Sequence, residues 1–186
     1  MQKNKHIVGW EAVFQIYPLN NFIKSIWKPC CLLICSYVLF VLSDKSAFEM
    51  IGYVSDKIIS IYPSVVGFVL TGYALMIGLS DTQLVKAMCQ NHKGSSKPSM
   101  FQVVNATFVV ILLSLLSTLL AGFVSNWLIA LNISLCYMTE VLKKFVNHTA
   151  LLLLLFLVYY SLFALFDVII NIFNFGQFAN VFESKR

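Results

Sequence analysis

The chain has 186 residues, of which 59% are hydrophobic and 11% are charged, and its mean hydropathy is +0.82. Since a soluble domain carries roughly 25% charged residues, this composition excludes an ordinary soluble protein and indicates an all-α integral membrane protein that crosses the bilayer several times. The formal net charge of +5 does not indicate direct contact with nucleic acid, because the lysines are spread along the chain between apolar runs.

Residues 1–25 are expected to form an interfacial segment. Trp10, Phe14, Tyr17 and Phe22 are scattered there among polar residues, as in segments that lie on a membrane surface. The alternative is a loose N-terminal tail.

The first transmembrane helix is predicted at about residues 26–43. It is short, but Lys28 can extend its alkyl stem and keep its ammonium at the interface. The run also contains Cys30, Cys31 and Cys35. Because the run lacks other ligands, these cysteines are expected to behave as small hydrophobic residues.

An amphipathic helix is predicted next. Residues Ser46 to Glu49 match a capping box, and apolar residues then recur at helical spacing up to Tyr62. At about 14 residues, this helix would be too short and too polar to span a membrane.

The second span is predicted at about residues 64–86, with Pro63 and Ser64 at its start and Ser64 as a capping hydroxyl. Small side chains at i, i+4, i+7 and i+11 would share one helix face, where they allow another helix to approach closely. This Gly67 stripe consists of Gly67, Thr71, Ala74 and Gly78. A polar loop is predicted at residues 91–99.

The third span is predicted at about residues 100–124 and carries a second small-residue stripe, the Gly122 stripe, formed by Ser114, Thr118 and Gly122. Apolar residues continue to Met138, and one straight helix of that length would reach about 58 Å. A bend is therefore expected at Ser125–Asn126. Residues 126–147 would form a second amphipathic helix; a fifth span is the alternative.

The fourth span, predicted at about residues 149–173, contains Asp167, and residues 174–186 would form a cytoplasmic tail. Asn171 and Asn174 follow Asp167 at i+4 and i+7, and Asp81 lies at a similar depth on the second span. Acidic residues within membrane segments are functional candidates. These four residues form a candidate polar face near the cytoplasm. The alternatives for Asp167 are a solvated helix end and an ion pair with Lys24, Lys28 or Lys86.

The distribution of basic residues predicts that both termini lie in the cytoplasm and both amphipathic helices outside it. Cytoplasmic loops carry an excess of Lys and Arg. With this orientation, nine basic residues lie inside and four outside. The four outside are Lys45, Lys57, Lys143 and Lys144.

The sequence shows no catalytic constellation. His6, His92 and His148 fall in separate segments, and no nucleophile motif, phosphate-binding loop or metal-ligand spacing is present. We therefore expect no enzymatic activity, no cofactor and no bound metal.

The second span and its exit, PSVVGFVLTGYALMIGLSD, resemble a segment of small bacterial membrane proteins with four helices. The size and hydropathy plan resemble the membrane subunit of the Kiwa antiphage-defence system. The resemblance implies a homo-oligomeric inner-membrane sensor that detects phage at the envelope and works with a cytoplasmic DNA-binding effector. It assigns no residue roles.

The function expected from the sequence is therefore a non-enzymatic membrane sensor or anchor. It would form homo-oligomers in the lipid bilayer and signal to a cytoplasmic effector protein. The alternative is a small oligomeric ion channel or transporter. Few polar groups lie within the predicted spans, which disfavours a translocation path inside one subunit.

Overall fold

A computed structural model describes residues 9–16, 19–78, 82–89, 98–131 and 139–183. Within these ranges all regular secondary structure is helical. Six helices follow one another along the chain: α1 (Trp10–Ile16), α2 (Leu19–Val41), α3 (Ala47–Gly78), α4 (Thr82–Cys89), α5 (Met100–Ala130) and α6 (Glu140–Glu183).

Capping boxes begin two of the long helices. The backbone N–H of Ser46 donates to Glu49 Oε2 at 3.0 Å, and the backbone N–H of Glu49 donates to Ser46 Oγ at 3.2 Å. The capping box expected before α3 is thus confirmed. Ser99 and Gln102 make the same reciprocal pair at the start of α5. Both pairs satisfy backbone N–H groups that a helix start leaves without a partner.

Helix α3 joins two elements that the sequence suggested were separate. It runs for 32 residues through Pro63, so the first amphipathic segment and the second span form one helix, and Ser64 is not its N-cap. Pro63 lacks the N–H that would bond to the carbonyl of Ile59. Packed neighbouring helices let a membrane helix tolerate this loss, and α3 is buried on both sides of Pro63, at Tyr62 and at Val69.

The expected second amphipathic helix at residues 126–147 is divided between two long helices. α5 continues through Ser125 and Asn126 to Ala130, and residues 140–147 form the first turns of α6. Residues 132–138 lie outside the described ranges. The side-chain amide of Asn126 donates a hydrogen bond to the carboxylate of Asp56 on α3.

The four long helices alternate in direction. Ile58 of α3 lies against Gly122 of α5, while Tyr73, further along α3, bonds to Asn105, nearer the start of α5. These two helices are therefore antiparallel. Corresponding contacts make α6 antiparallel to α5 and to α2. One end of the bundle, here called the polar end, consequently gathers the C-termini of α2 and α5 and the N-termini of α3 and α6. It carries Asp44, Lys45, Glu49, Glu140, Lys143 and Lys144.

The core lies between α3, α5 and α6, which make the most extensive contacts in the bundle. Buried residues on α5 recur at alternating spacings of four and three: Val104, Phe108, Ile111, Leu115, Thr118 and Gly122. Their mean spacing of about 3.6 residues is the period of an α-helix, so they share one face of α5. Phe108 and Leu115 are each about 1% exposed, and within a bilayer such close packing, rather than removal from water, holds helices together.

Three helices are long and apolar enough to cross a membrane: α3, α5 and α6 within Glu140–Gln177. The apolar part of α2, Ser25–Val41, reaches about 25 Å at 1.5 Å per residue. This is shorter than a bilayer core of about 30 Å. The composition and these helices together identify a polytopic helical membrane protein.

Candidate functional site

Hydroxyl groups inside the bundle are held by neighbouring helices. Tyr62 Oη of α3 lies 2.7 Å from Ser161 Oγ of α6, and Ser161 is fully buried. Thr118 Oγ1 of α5, also fully buried, donates to the carbonyl of Leu157 on α6 at 3.2 Å. In the described part of the chain, every buried side-chain nitrogen or oxygen has a partner. The centre of the bundle is therefore a closed, satisfied core.

Further side-chain pairs join neighbouring helices outside this centre, and sequence reasoning did not foresee them. Such a bond could be predicted from two polar residues that face each other on adjacent helices, but only once it is known which helices are adjacent. The bonds are Ser36 Oγ to Tyr159 Oη at 2.6 Å, Tyr37 Oη to His148 Nδ1 at 2.9 Å, and Tyr73 Oη donating to Asn105 Oδ1 at 2.9 Å.

An open groove separates α2 from α5 along one flank of α6. It arises because α2 packs mainly on α6. Its volume is about 610 Å³, within the range of about 300–1,000 Å³ that is usual for ligand sites. Val110, Ile111 and Phe163 contribute to its apolar wall, and Lys28 and Asp167 add opposite charges. We call this feature the α2–α6 groove.

The candidate polar face on α6 reaches this groove. Asp167 is exposed and lines it, Asn171 is half-buried and Asn174 is exposed. Asp167 forms no ion pair with Lys28 or Lys86, whereas Lys143 and Glu140, at the other end of the described α6, pair at 2.9 Å. Asp81, the fourth residue of the face, lies outside the described residues.

The two small-residue stripes have different surroundings. Thr118 and Gly122 are buried and Ser114 is half-buried, so the Gly122 stripe lies at the contacts of α5 with α3 and α6. All four members of the Gly67 stripe are exposed, and a Cβ added at Gly67 or Gly78 would meet no atom within 4 Å. The Gly67 stripe therefore packs against no other part of the described chain.

A smaller pocket lies at the polar end, between the α2–α3 turn and the first turns of α6. Its volume is about 340 Å³, and Lys45, Lys144 and His148 line it. The imidazole of His148 is held by Tyr37 and by edge contacts with Tyr37 and Phe40. His6 and His92 lie outside the described residues, so nothing brings a second histidine to this pocket within the described ranges.

The cysteines of α2 form no cluster with other metal ligands. Cys30 is half-buried, Cys31 and Cys35 are exposed, and all three are free thiols. Among the described residues, no three His, Cys, Asp or Glu side chains lie close enough together to hold a metal ion.

Comparison with known proteins adds no further assignment. No protein-family model, no curated protein and no solved structure matches this chain.

Proposed function

We propose that the protein crosses the membrane four times, with both termini in the cytoplasm and the polar end outside. The bonds of Ser36 and Tyr37 to α6 support α2 as the fourth span, because they hold it alongside a helix that is long enough to cross. A short span is accommodated by local bilayer thinning and by extended flanking side chains such as Lys28. The excess of nine basic residues over four supports this orientation.

In this proposal the protein is a non-enzymatic sensor or anchor that forms homo-oligomers and signals to a cytoplasmic effector protein. The observation that carries it is the closed core, where the buried hydroxyls of Thr118 and Ser161 have protein partners. The bundle thus offers no polar path through one described subunit. Interactions with other proteins would therefore use exposed surfaces, namely the Gly67 stripe and the polar face that includes Asp167.

The Gly67 stripe is the proposed contact between copies. Within a bilayer, helices associate through close packing of small residues, since lipid offers no hydrophobic driving force. An exposed row of Gly, Thr, Ala and Gly on a long apolar helix meets this requirement.

The resemblance to the membrane subunit of the Kiwa system gives this proposal a biological setting. It would place the protein in the bacterial inner membrane, in defence against phage. The effector would then be a cytoplasmic DNA-binding protein, and this chain itself would not contact nucleic acid.

A small oligomeric channel is the second candidate function, and one observation favours it. Asp167 is exposed on α6, so a symmetric oligomer with this flank turned inward would place a ring of carboxylates around a central path. Rings of acidic side chains select cations.

Planar-bilayer recording of the purified protein separates the two functions. The anchor proposal expects no conductance. It also expects Asp167→Asn to weaken membrane recruitment of the cytoplasmic effector, for which a co-transcribed soluble nucleic-acid-binding protein would be the candidate. Asp44→Asn is the matched control, because Asp44 is exposed just beyond the C-terminus of α2, at the end of the bundle away from Asp167. Reproducible single-channel currents whose cation selectivity falls in Asp167→Asn but not in Asp44→Asn would refute the anchor.

A further inference from the structure

The α2–α6 groove opens sideways from the bundle, toward the space that lipid occupies around a spanning protein. Phe166 and Ile170 of α6 extend the apolar wall formed by Val110 and Ile111 of α5. Such a wall fits a hydrocarbon chain. In a bilayer an open apolar groove is filled by lipid tails, because water gains no hydrogen bonds there.

The groove also has one positively and one negatively charged side chain among its lining residues. Lys28 of α2 and Asp167 of α6 both line it, and no ion pair joins them directly. Lys28 Nζ lies 6.0 Å from the centroid of the Trp27 ring, a distance at which the ring face attracts an ammonium. The groove therefore presents a cation and an anion that a single zwitterionic group can bridge.

We propose that the α2–α6 groove is a binding site for a phospholipid with a primary ammonium in its headgroup, such as phosphatidylethanolamine. The phosphate accepts from Lys28 Nζ, the ammonium donates to the Asp167 carboxylate, and one acyl chain lies along Ile111 and Phe166. A primary ammonium has N–H donors for a charge-assisted hydrogen bond, whereas a quaternary choline has none. The site consequently favours ethanolamine over choline headgroups.

The opposite charges also make the groove a poor site for anionic lipids. A phosphatidylglycerol headgroup satisfies Lys28 but leaves Asp167 next to a further negative charge and without a donor. Like charges placed close together disfavour binding. The groove thus differs from a basic lipid site, which binds anionic headgroups best. This inference does not depend on the proposed signalling function.

The test measures which lipid stays bound to the full-length protein. The protein is purified from nanodiscs containing equal amounts of phosphatidylethanolamine, phosphatidylcholine and phosphatidylglycerol with matched acyl chains, and retained lipids are identified by native mass spectrometry. We expect retention of phosphatidylethanolamine over phosphatidylcholine by about tenfold, the size expected for one hydrogen bond to a charged group. Equal retention of the two would overturn the proposal.

Paired variants then test whether Asp167 contacts the headgroup ammonium and Lys28 the phosphate. Asp167→Asn should bring the ethanolamine-to-choline ratio close to one, and Lys28→Gln should lower retention of both lipids. Asp44→Asn and Lys57→Gln remove the same charges from exposed positions that do not line the groove, so they should change nothing. An unchanged ratio in Asp167→Asn, or an equal loss in the controls, would contradict the assignment.

A measurement on the unaltered protein covers the case in which a variant fails to fold. Phosphatidylethanolamine carrying a photoreactive diazirine on its acyl chain should label the α6 segment that contains Phe163 and Phe166. Excess unlabelled phosphatidylethanolamine should compete for this labelling at least several-fold better than phosphatidylcholine does. Labelling spread evenly over all lipid-facing helices, or equal competition by both lipids, would refute a specific site.

Discussion

Gly122→Ala tests whether α3 and α5 are in contact at the position of closest approach. The position lies within α5 and faces Ile58 of α3, with no room for a side chain. Gly72→Ala is the matched control: Gly72 is also inside a long helix, but a Cβ there would meet no atom within 4 Å. The two variants add the same methyl group, in one case to a filled space and in the other to an open one.

The size of the effect follows from the distances. A Cβ at position 122 would lie 2.6 Å from Ile58 Cγ2 and 2.9 Å from Ile58 Cβ, whereas carbon atoms pack best at about 3.5–4.0 Å. The helices must separate by about 1 Å, and such overpacking costs about 1–3 kcal/mol. Replacing Gly by Ala returns up to about 1 kcal/mol of helix propensity. Because both variants gain the same helix propensity, we expect Gly122→Ala to be less stable than Gly72→Ala by about 1–3 kcal/mol, and Gly72→Ala to be no less stable than the unaltered protein.

Reversible unfolding in mixed micelles, followed by loss of far-ultraviolet circular dichroism on addition of dodecyl sulfate, measures these differences. A double-mutant cycle with Ile58→Ala adds a direct test of the contact. Ile58→Ala removes Cγ2, the atom closest to the new methyl group, so the two substitutions should be less destabilising together than the sum of their separate effects by about 1 kcal/mol. Additive effects, or a Gly122→Ala protein as stable as the Gly72→Ala protein, would refute the close approach of the two helices.

Three further predictions address the core, assembly and orientation. Ser161→Ala and Tyr62→Phe should each lower the free energy of unfolding by about 0.6 kcal/mol. Each removes the 2.7 Å bond between the two hydroxyls, while the remaining hydroxyl still donates to the Val158 carbonyl; a loss above about 2 kcal/mol in either variant would contradict this. Gly67→Leu should reduce the oligomer mass seen by light scattering while leaving the unfolding curve of the dispersed subunit unchanged, since a Cβ at Gly67 meets no described atom within 4 Å; an unchanged mass would mean that the stripe faces lipid. Lys45→Cys, in a variant without the native cysteines, should react with a membrane-impermeant maleimide in intact cells, whereas reaction only after permeabilisation would reverse the proposed orientation.

Periodicity in the sequence indicated two possible packing faces but did not show which of them packs within the subunit. The Gly67 and Gly122 stripes both place small residues on one helix face, yet Gly122 packs on Ile58, whereas a Cβ at Gly67 would meet no described atom within 4 Å. Spacing along a helix shows which residues share a face, but not which neighbour covers that face. The same limit applies to Asp167: its place on α6 was predictable, while its position opposite Lys28 depends on how α2 packs on α6.

The class of the protein and the location of its helices follow from local properties of the chain. Apolar runs, scarce charges and the Ser46–Glu49 capping box act over a few residues, so the sequence by itself determined a helical membrane protein. Helix continuity depended on the tertiary structure. α3 continues through Pro63 and is buried on both sides of it, at Tyr62 and at Val69. A proline removes a backbone hydrogen bond of the helix, and a membrane helix tolerates this loss where neighbouring helices pack on it. Those neighbours come from distant parts of the chain, which local sequence signals do not show.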